Sequence, residues 1–284
     1  MSQRIVDWNF NRICNFDCAY CVNDPADKNF IGPEFRQIKP AIDRLTKDYF
    51  FALTGGELLL NPDFIKIAKY VTQRFDIGLY TNMSISMSDF VAEINPERVK
   101  WVIGSLHIKE RDRRGIPRDQ IIHEYKKLKK AGFDNVYIIQ VCDSYALSNY
   151  DEIFEYYKDR GVLIIPTRLK STPWYGQLYT TDDEKKMQYY VNQCTCTLFP
   201  FEMAEYRDKK GEYCVAGSQY FVITANGRIR KCWGDKDKWY GHFYDAPYWD
   251  EEAFGDEPEK CQSIVCPCYP SPLHLRVLEE AQCK

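Results

Sequence analysis

Three cysteines lie close together near the start of the chain. In RICNFDCAYC, residues 12–21, three residues separate Cys14 from Cys18 and two separate Cys18 from Cys21. Disulfides do not persist in a reducing cytosol, so clustered thiols there indicate metal binding or redox chemistry. Structural zinc usually takes two pairs of ligands, and no fourth cysteine or histidine stands nearby. A cubane iron–sulfur cluster held by three cysteines fits better, because its fourth iron can bind a substrate or cofactor. Zinc is the alternative.

A second motif follows the next apolar run. The segment TGGELLL places Gly55, Gly56 and Glu57 directly after YFFAL. Glycines at the carboxyl end of a barrel strand let a ligand approach the backbone, and a neighbouring carboxylate can pair with an ammonium group. Taken alone, the triplet also fits an ordinary turn.

The elements that must position these motifs alternate regularly up to about residue 193. The runs predicted as strands are RIVDWNF (4–10), YFFALT (49–54), IGLYTN (77–82), VKWVIGSLH (99–107), NVYIIQV (135–141) and VLIIPT (162–167). An amphipathic helical stretch follows each run. Serial βα units predict an α/β fold, with a parallel sheet, right-handed connections and helices on one side.

The cysteine spacing, with Tyr20 before the last cysteine, resembles the signature of the radical S-adenosylmethionine (radical SAM) enzymes. The Gly-Gly-Glu segment supports the resemblance, which covers roughly the first 190 residues and implies a partial (β/α)6 TIM-like barrel. It implies that Cys14, Cys18 and Cys21 bind a [4Fe–4S] cluster and that residues 55–57 bind the amino group of SAM. Reductive cleavage of SAM would give methionine and a 5′-deoxyadenosyl radical that abstracts hydrogen from the substrate.

The same resemblance assigns further residues to the cofactor pocket. Tyr20 and residues at the predicted ends of the third and fourth strands would contact SAM, namely Thr81, Asn82, Ser105 and His107. Arg168, just past the sixth predicted strand, is a candidate partner for the cofactor carboxylate. A plain loop or capping role is the alternative for each strand-end residue. A reductant such as flavodoxin or ferredoxin would supply the electron.

The pattern changes after residue 193, so we expect two domains, residues 1–193 and 194–284. In SQYFVITANGRIRKC, two β-runs meet at Asn226-Gly227, a strong signal for a two-residue hairpin turn. Cys214 and Cys232 flank this hairpin, with 17 residues between them. The arrangement resembles the opening half of the SPASM extension of radical SAM enzymes, or its shortened twitch form.

The twitch resemblance implies one auxiliary [4Fe–4S] cluster on this small cysteine-rich domain. We expect Cys266 and Cys268 to complete the ligand set begun by Cys214 and Cys232, with Cys261 as their rival. Zinc is again the alternative. The remaining cysteines of this part are Cys194, Cys196 and Cys283, which could be ordinary buried thiols or ligands of a further cluster.

An auxiliary cluster near the substrate could accept the second electron of an oxidation. The resemblance therefore favours an oxidoreductase of dehydrogenase type, which oxidises a carbinol to a ketone in a small polar, carbohydrate-like substrate. The segment IKERDRRGIPR is predicted as a loop at the active face, and its basic residues suggest an anionic substrate. These residues are Lys109, Arg111, Arg113, Arg114 and Arg118. A solvated charged loop is the alternative.

Three other functions stay open. Period-two alternation in YIIQVCDS puts Gln140 and Cys142 on one face, which we expect to look into the barrel. Cys142 would then be a hydrogen donor in a radical epimerase, unless it is a small core thiol. Modification of a ribosomally made peptide is a second alternative. A non-enzymatic iron–sulfur electron carrier is the third, but it would not need the Gly-Gly-Glu segment.

The composition of the chain limits the classes of binding partner that we expect. The net charge of −3 argues against a general nucleic-acid binder. No stretch approaches the roughly 18 to 20 apolar residues that span a bilayer. The start MSQRIVDWNF lacks the apolar region of a signal peptide. We therefore expect a cytoplasmic enzyme that acts on a small molecule, without nucleic-acid or membrane partners.

Overall fold

The computed structural model describes residues 3–21, 28–169, 179–194, 210–235, 238–245, 255 and 257–261. The strands are β1 (Arg4–Asn11), β2 (Tyr49–Gly55), β3 (Asp76–Thr81), β4 (Val99–Ser105), β5 (Val136–Val141), β6 (Ile164–Thr167), β7 (Tyr213–Cys214), β8 (Tyr220–Ile223), β9 (Ile229–Arg230) and β10 (Glu259–Lys260). The helices are α1 (Phe35–Arg44), α2 (Phe64–Val71), α3 (Ser88–Glu93), α4 (Ile108–Arg114), α5 (Asp119–Lys130), α6 (Ser144–Ser148), α7 (Tyr150–Lys158) and α8 (Thr181–Gln193). None of these described helices has the length and apolar composition needed to cross a membrane.

The main sheet has the order β6-β5-β4-β3-β2-β1-β8-β9. Strands β1 to β6 pair in parallel with their neighbours, which confirms the predicted α/β class and the six-stranded parallel sheet of a partial TIM barrel. Side chains of β2 are buried along most of its length, as expected for a strand covered on both faces. Because all six strands run the same way, the segments that follow them meet at one edge of the sheet.

The two faces of this sheet carry separate apolar clusters. On the helix-facing side, Trp8, Phe51 and Leu79 pack with residues of α1, α2, α5 and α7. On the opposite side, the buried cluster includes Phe50 and Trp101 and contains no residue of the described helices, so we call this side the helix-free face. Neighbouring residues such as Phe50 and Phe51 thus belong to different clusters, as the two-residue period of a strand requires.

The predicted hairpin is present, and β8 also pairs in parallel with β1, from Ile5↔Tyr220 to Trp8↔Ile223. Its turn differs from the prediction by one residue. The Thr224 amide donates to the Arg228 carbonyl at 2.9 Å, so the loop contains Ala225, Asn226 and Gly227. Gly227 has a φ of 83°, the left-handed conformation that closes a three-residue hairpin loop.

The segment after β4, predicted as a charged loop, is a helix instead. Residues 108–114 form α4, which ends at Gly115 in a left-handed conformation. A further short helix, α6, follows β5, and the Asp143 side chain accepts the Ala146 amide at its start. Both helices begin within three residues of a strand end and therefore cover the edge of the sheet where the predicted site lies.

Candidate active site

The loop that carries the first three cysteines leaves β1 and packs directly on the end of β2. The Gly56 amide donates to the Asn11 carbonyl at 2.9 Å, and the Glu57 amide donates to the Ile13 carbonyl at 2.7 Å. A Cβ on Gly56 would lie 2.0 Å from the Ile13 oxygen, so only glycine fits there. Here glycine allows close approach of the cysteine loop itself, a role that the sequence motif did not reveal.

The Glu57 carboxylate is fully buried beneath this loop. It accepts hydrogen bonds from Thr81 Oγ1 at 2.9 Å and from the Asn82 amide at 2.7 Å. Burial raises the pKa of Glu57, and these hydrogen bonds only partly oppose the rise. The carboxylate therefore ties the segment that follows β2 to the end of β3. That residues 55–57 bind the amino group of SAM remains a prediction.

Asn82 joins the end of β3 to the cysteine loop. Its side-chain nitrogen donates to Asn15 Oδ1 at 2.9 Å and lies 3.9 Å from the sulfur of Cys14. The Phe16 amide donates to the same sulfur at 3.4 Å. Ser84 Oγ in turn accepts from Asn15 Nδ2 at 2.7 Å. The structure thus brings the predicted site residue Asn82 to the first cysteine.

The other flank of the loop rests on the end of β4 and on α4. The Asp17 amide donates to Glu110 Oε2 at 3.0 Å. The Tyr20 hydroxyl and His107 Nδ1 form a hydrogen bond of 2.8 Å, and the ring of Phe16, 3% exposed, packs edge-on against His107. His107 has a φ of 48°, a strained conformation for a residue with a side chain. Tyr20 and His107, both predicted site residues, are therefore in contact.

Burial and hydrogen bonding determine the charge states of His107 and Glu110 on this flank. Burial, followed by the charge of Arg111, lowers the pKa of His107 to about 4, so its ring is neutral at neutral pH. Burial alone would raise the pKa of Glu110, but hydrogen bonds from Arg113, the Asp17 amide and Arg114 outweigh it and lower the pKa to about 2. Sequence reasoning missed Glu110 because its partner in the loop is 93 residues away.

Four of the five basic residues after β4 are engaged by groups of this chain. Arg111 is fully buried and donates through Nε to the Leu106 carbonyl at 2.8 Å. Arg113 and Arg114 pair with Glu110 of their own helix. Arg118 likewise pairs with Asp112 and Glu152. These four arginines thus all have partners within this chain, and anion binding by the segment stays a prediction.

Arg168 and Ser105 are two further residues that were predicted to contact SAM. Arg168 forms an ion pair with Glu184 of α8, so its guanidinium is engaged by this chain. Ser105 is the last residue of β4 and is half-buried beside Ile139 of β5. Ser105 lies at the shared edge, and its contact with SAM stays a prediction.

Cys142 lies on the helix-facing side of the sheet, so the expectation that it looks into the barrel was wrong. It is fully buried in the same cluster as Ile138 and Ile153. Gln140, which shares its face, accepts the Ile108 amide at 3.0 Å and so satisfies the first turn of α4. A polar residue on this strand therefore marks a helix contact and does not mark the barrel interior. Burial also raises the pKa of the Cys142 thiol.

The first cysteine loop offers three thiols, the number that holds a cubane iron–sulfur cluster with one iron left open. Burial raises the pKa of Cys14 to about 11, and the nearby Cys21 adds to this rise. The pKa of Cys18 is raised by burial and by the same neighbour. Among the described residues, no three His, Cys, Asp or Glu side chains are grouped as around a single metal ion. A cubane spaces its ligands more widely, because each thiolate binds a different iron.

The second cysteine group is assembled from two ribbons. Cys214 and Cys232 pack against the cluster on the helix-free face. In the β7–β10 ribbon, Cys214 lies opposite Glu259, and the Cys261 amide donates to the Glu212 carbonyl at 2.8 Å. This register puts Cys261 on the same ribbon face as Cys214, two positions along. Cys196, Cys266, Cys268 and Cys283 lie outside the described residues.

Comparison with known proteins defines the class. Residues 8–166 match the family model of the radical SAM superfamily, and the chain belongs to this superfamily. It is a radical SAM enzyme, and a [4Fe–4S] cluster and SAM are the cofactors expected of the family.

Curated relatives share only part of their length with this chain. GTP 3′,8-cyclase of Microcystis aeruginosa is 29% identical over 105 residues, which is 33% of this chain and 32% of the relative. The corresponding enzyme of Acaryochloris marina is 37% identical over 79 residues, 24% of each chain. The matched region thus spans a third or less of these relatives.

Solved structures share the fold at low sequence identity. The structure of anSMEcpe with bound AdoMet is 15% identical, with a TM-score of 0.59, and the match covers 86% of this chain and 76% of that one. Streptococcus suis SuiB bound to S-adenosylmethionine is 15% identical, with a TM-score of 0.57, and the match covers 86% of this chain and 64% of SuiB. Other structures of these two proteins contain peptides, the Cp18Cys peptide and the precursor peptide SuiA.

Proposed function

We propose that the protein is a radical SAM dehydrogenase that oxidises a carbinol to a ketone in a small polar, carbohydrate-like substrate. Such an oxidation removes a hydrogen atom, a second electron and the hydroxyl proton from the substrate. When bound, the [4Fe–4S] cluster and SAM supply the 5′-deoxyadenosyl radical that takes the hydrogen atom. An auxiliary cluster on the second cysteine group would take the second electron.

The observation that carries this proposal is the attachment of both cysteine groups to β1. Asp7, in the middle of β1, accepts hydrogen bonds from the Tyr220 hydroxyl at 3.0 Å and from Trp233 Nε1 at 2.8 Å. Trp233 adjoins Cys232, and Tyr220 begins β8. The first cysteine loop leaves the carboxyl end of the same strand. An electron acceptor on the hairpin would therefore be attached to the same strand as the catalytic cysteine loop.

In this proposal the residues of the chain hold ligands and exclude water. The three thiols of the first loop would bind three irons of the catalytic cluster. Cys214 and Cys232 would bind the auxiliary cluster, and Cys266 and Cys268, or their rival Cys261, would complete the ligand set. The half-buried ring of Tyr80, which meets the buried Trp101 edge to face with centroids 5.0 Å apart, would form an apolar wall for the substrate.

A test can be made without knowing the substrate. The anaerobically reconstituted enzyme is incubated with SAM, a reductant and a small-molecule cell extract in deuterated water, and mass spectrometry follows the metabolites. A product about two mass units lighter than its precursor, formed together with 5′-deoxyadenosine, is expected for a dehydrogenase. A product that gains one deuteron at carbon, with otherwise unchanged composition, would instead identify an epimerase and contradict the proposal.

Peptide modification is the second candidate, and the comparisons favour it. Two of the similar structures contain a bound peptide, the Cp18Cys peptide in one and the precursor peptide SuiA in the other. The same assay can therefore include a library of short peptides, together with GTP because of the cyclase relatives. If 5′-deoxyadenosine forms in excess over an uncoupled blank only with peptides, the small-molecule proposal is wrong and the peptide function replaces it.

A further inference from the structure

Two buried charged groups hold the backbone of Asn82 from opposite sides. On one side, the Asn82 amide donates to Glu57 Oε2 at 2.7 Å. On the other, the Asn82 carbonyl accepts a hydrogen bond from Arg111 Nη2. Glu57 and Arg111 are both fully buried, and each shifts the pKa of the other through its charge. The two peptide groups that flank this residue are thus both fixed.

The side chain of Asn82 is fixed as well. Its Oδ1 accepts from the Ser84 amide at 2.9 Å and from Ser84 Oγ at 2.6 Å. Because the oxygen is engaged by Ser84, the amino group must face the cysteine loop. There it donates to Asn15 Oδ1 at 2.9 Å, and its distance to the Cys14 sulfur is 3.9 Å.

We propose that Asn82 is a positioning residue that sets the reduction potential of the cluster bound by Cys14, and that Glu57 and Arg111 hold it there. The inference rests on the assignment of Cys14 as a cluster ligand. Hydrogen bonds to cluster sulfurs stabilise the reduced, more negative state and raise the potential. Asn82 acts through Cys14 and does not itself touch iron.

The test is a redox titration of the reconstituted protein without substrate, followed by the spin resonance signal of the reduced cluster. Asn82→Leu keeps the approximate side-chain volume and removes both donors. We expect the equilibrium for one-electron reduction to become about tenfold less favourable, which lowers the midpoint potential by about 59 mV. Asn82→Asp keeps the Oδ1 acceptor for Ser84 and should lower the potential by at least as much, so it serves if the leucine variant does not fold.

Asn61 provides a matched control. It is as buried as Asn82, at 4% exposed, and its side-chain nitrogen donates to the carbonyls of Ile31 and Pro33, each at 3.0 Å. Asn61→Leu should leave the potential unchanged. Arg111→Lys, which shortens the reach to the Asn82 carbonyl, should lower the potential with Asn82 still present.

The outcomes separate this inference from the proposed function. Asn82 variants that bind iron fully but keep the wild-type potential would overturn the inference and leave the enzyme proposal intact. An equal shift in Asn61→Leu would also overturn it, because the effect would then be one of general packing. A wild-type protein that binds no cluster at this loop would instead defeat the assignment of Cys14.

Discussion

The two cysteine groups are held in contrasting ways. In the first, all the cysteines come from one loop of eight residues, 14–21, and the surroundings shape that loop. The ends of β3 and β4 contact it through Asn82 and His107, and Gly56 after β2 packs on the residues that lead into it. In the second, the cysteines are distant in sequence, and the pairing of short strands brings Cys214 and Cys261 onto one ribbon.

This difference means that the two sites should fail in different ways. A loop whose ligands are local keeps its cysteine spacing even when a supporting contact is lost, so damage there should affect reactivity and potential. A site made from separate strands needs those strands to be paired, so damage there should remove the site altogether. The shared attachment is β1, which contacts both regions.

The largest expected effect comes from removing either set of ligands. Wild-type protein should bind about eight irons per chain, four for each cluster. Replacing Cys14, Cys18 and Cys21 by alanine should leave about four irons and abolish SAM cleavage. The paired variant Cys214→Ala/Cys232→Ala should also leave about four irons but retain SAM cleavage. Iron content and 5′-deoxyadenosine formation, measured side by side, check both.

Two results would contradict this prediction. SAM cleavage that survives in the first variant would show that the catalytic cluster lies elsewhere. Full iron content in the second variant would show that Cys214 and Cys232 are ordinary thiols, and the dehydrogenase proposal would lose its electron acceptor.

The first cysteine region could be predicted better than the second because the residues that define it are close together in the sequence. The cysteine spacing and the Gly-Gly-Glu segment identified the first cysteine loop and the end of β2 beside it. The order of the predicted strands placed Asn82 and His107 at the same edge of the sheet as this loop. The sequence did not reveal Glu110 or the buried state of Arg111, because nothing local distinguishes a buried ion from a solvated one. The predicted face of Cys142 was wrong for a related reason. Gln140, on the same face, accepts an amide of α4, and the sequence analysis had not predicted that helix.

Gly56→Ala tests the support of the first loop. A Cβ there would stand 2.0 Å from a backbone oxygen that cannot move independently of the loop, so we expect more than about 3 kcal/mol of destabilisation and loss of the catalytic cluster. Gly161→Ala is the control, because it has a φ of 78° but no atom within 4 Å of the new Cβ, and it should cost only about 1 kcal/mol. Chemical unfolding compares them. Equal losses in both variants would mean that the close contact with Ile13 is unimportant.

Glu110→Gln should weaken the other support of the loop in a pH-dependent way. The carboxylate pKa is lowered from 4.5 to about 2, so its contribution is fully present above pH 4.5 and is lost as pH falls towards 2. The variant should therefore lose at most about 3 kcal/mol of unfolding free energy at pH 7, and the difference should close on acidification. Glu155→Gln, whose pair with Lys158 is exposed, should differ by less than about 0.5 kcal/mol throughout. A loss independent of pH would contradict the ionic origin of the effect.

Asp7→Ala, with the smallest expected change in stability, tests whether β1 connects the two regions. It removes the acceptor for Tyr220 and Trp233, which should cost about 2 kcal/mol and loosen the hairpin without touching the first loop. Iron content should fall from about eight towards about four while SAM cleavage continues, whereas Asp7→Asn, which keeps one acceptor oxygen, should lose less. If SAM cleavage fell together with iron, Asp7 would support both clusters, and the two regions would be one cooperative unit joined through β1.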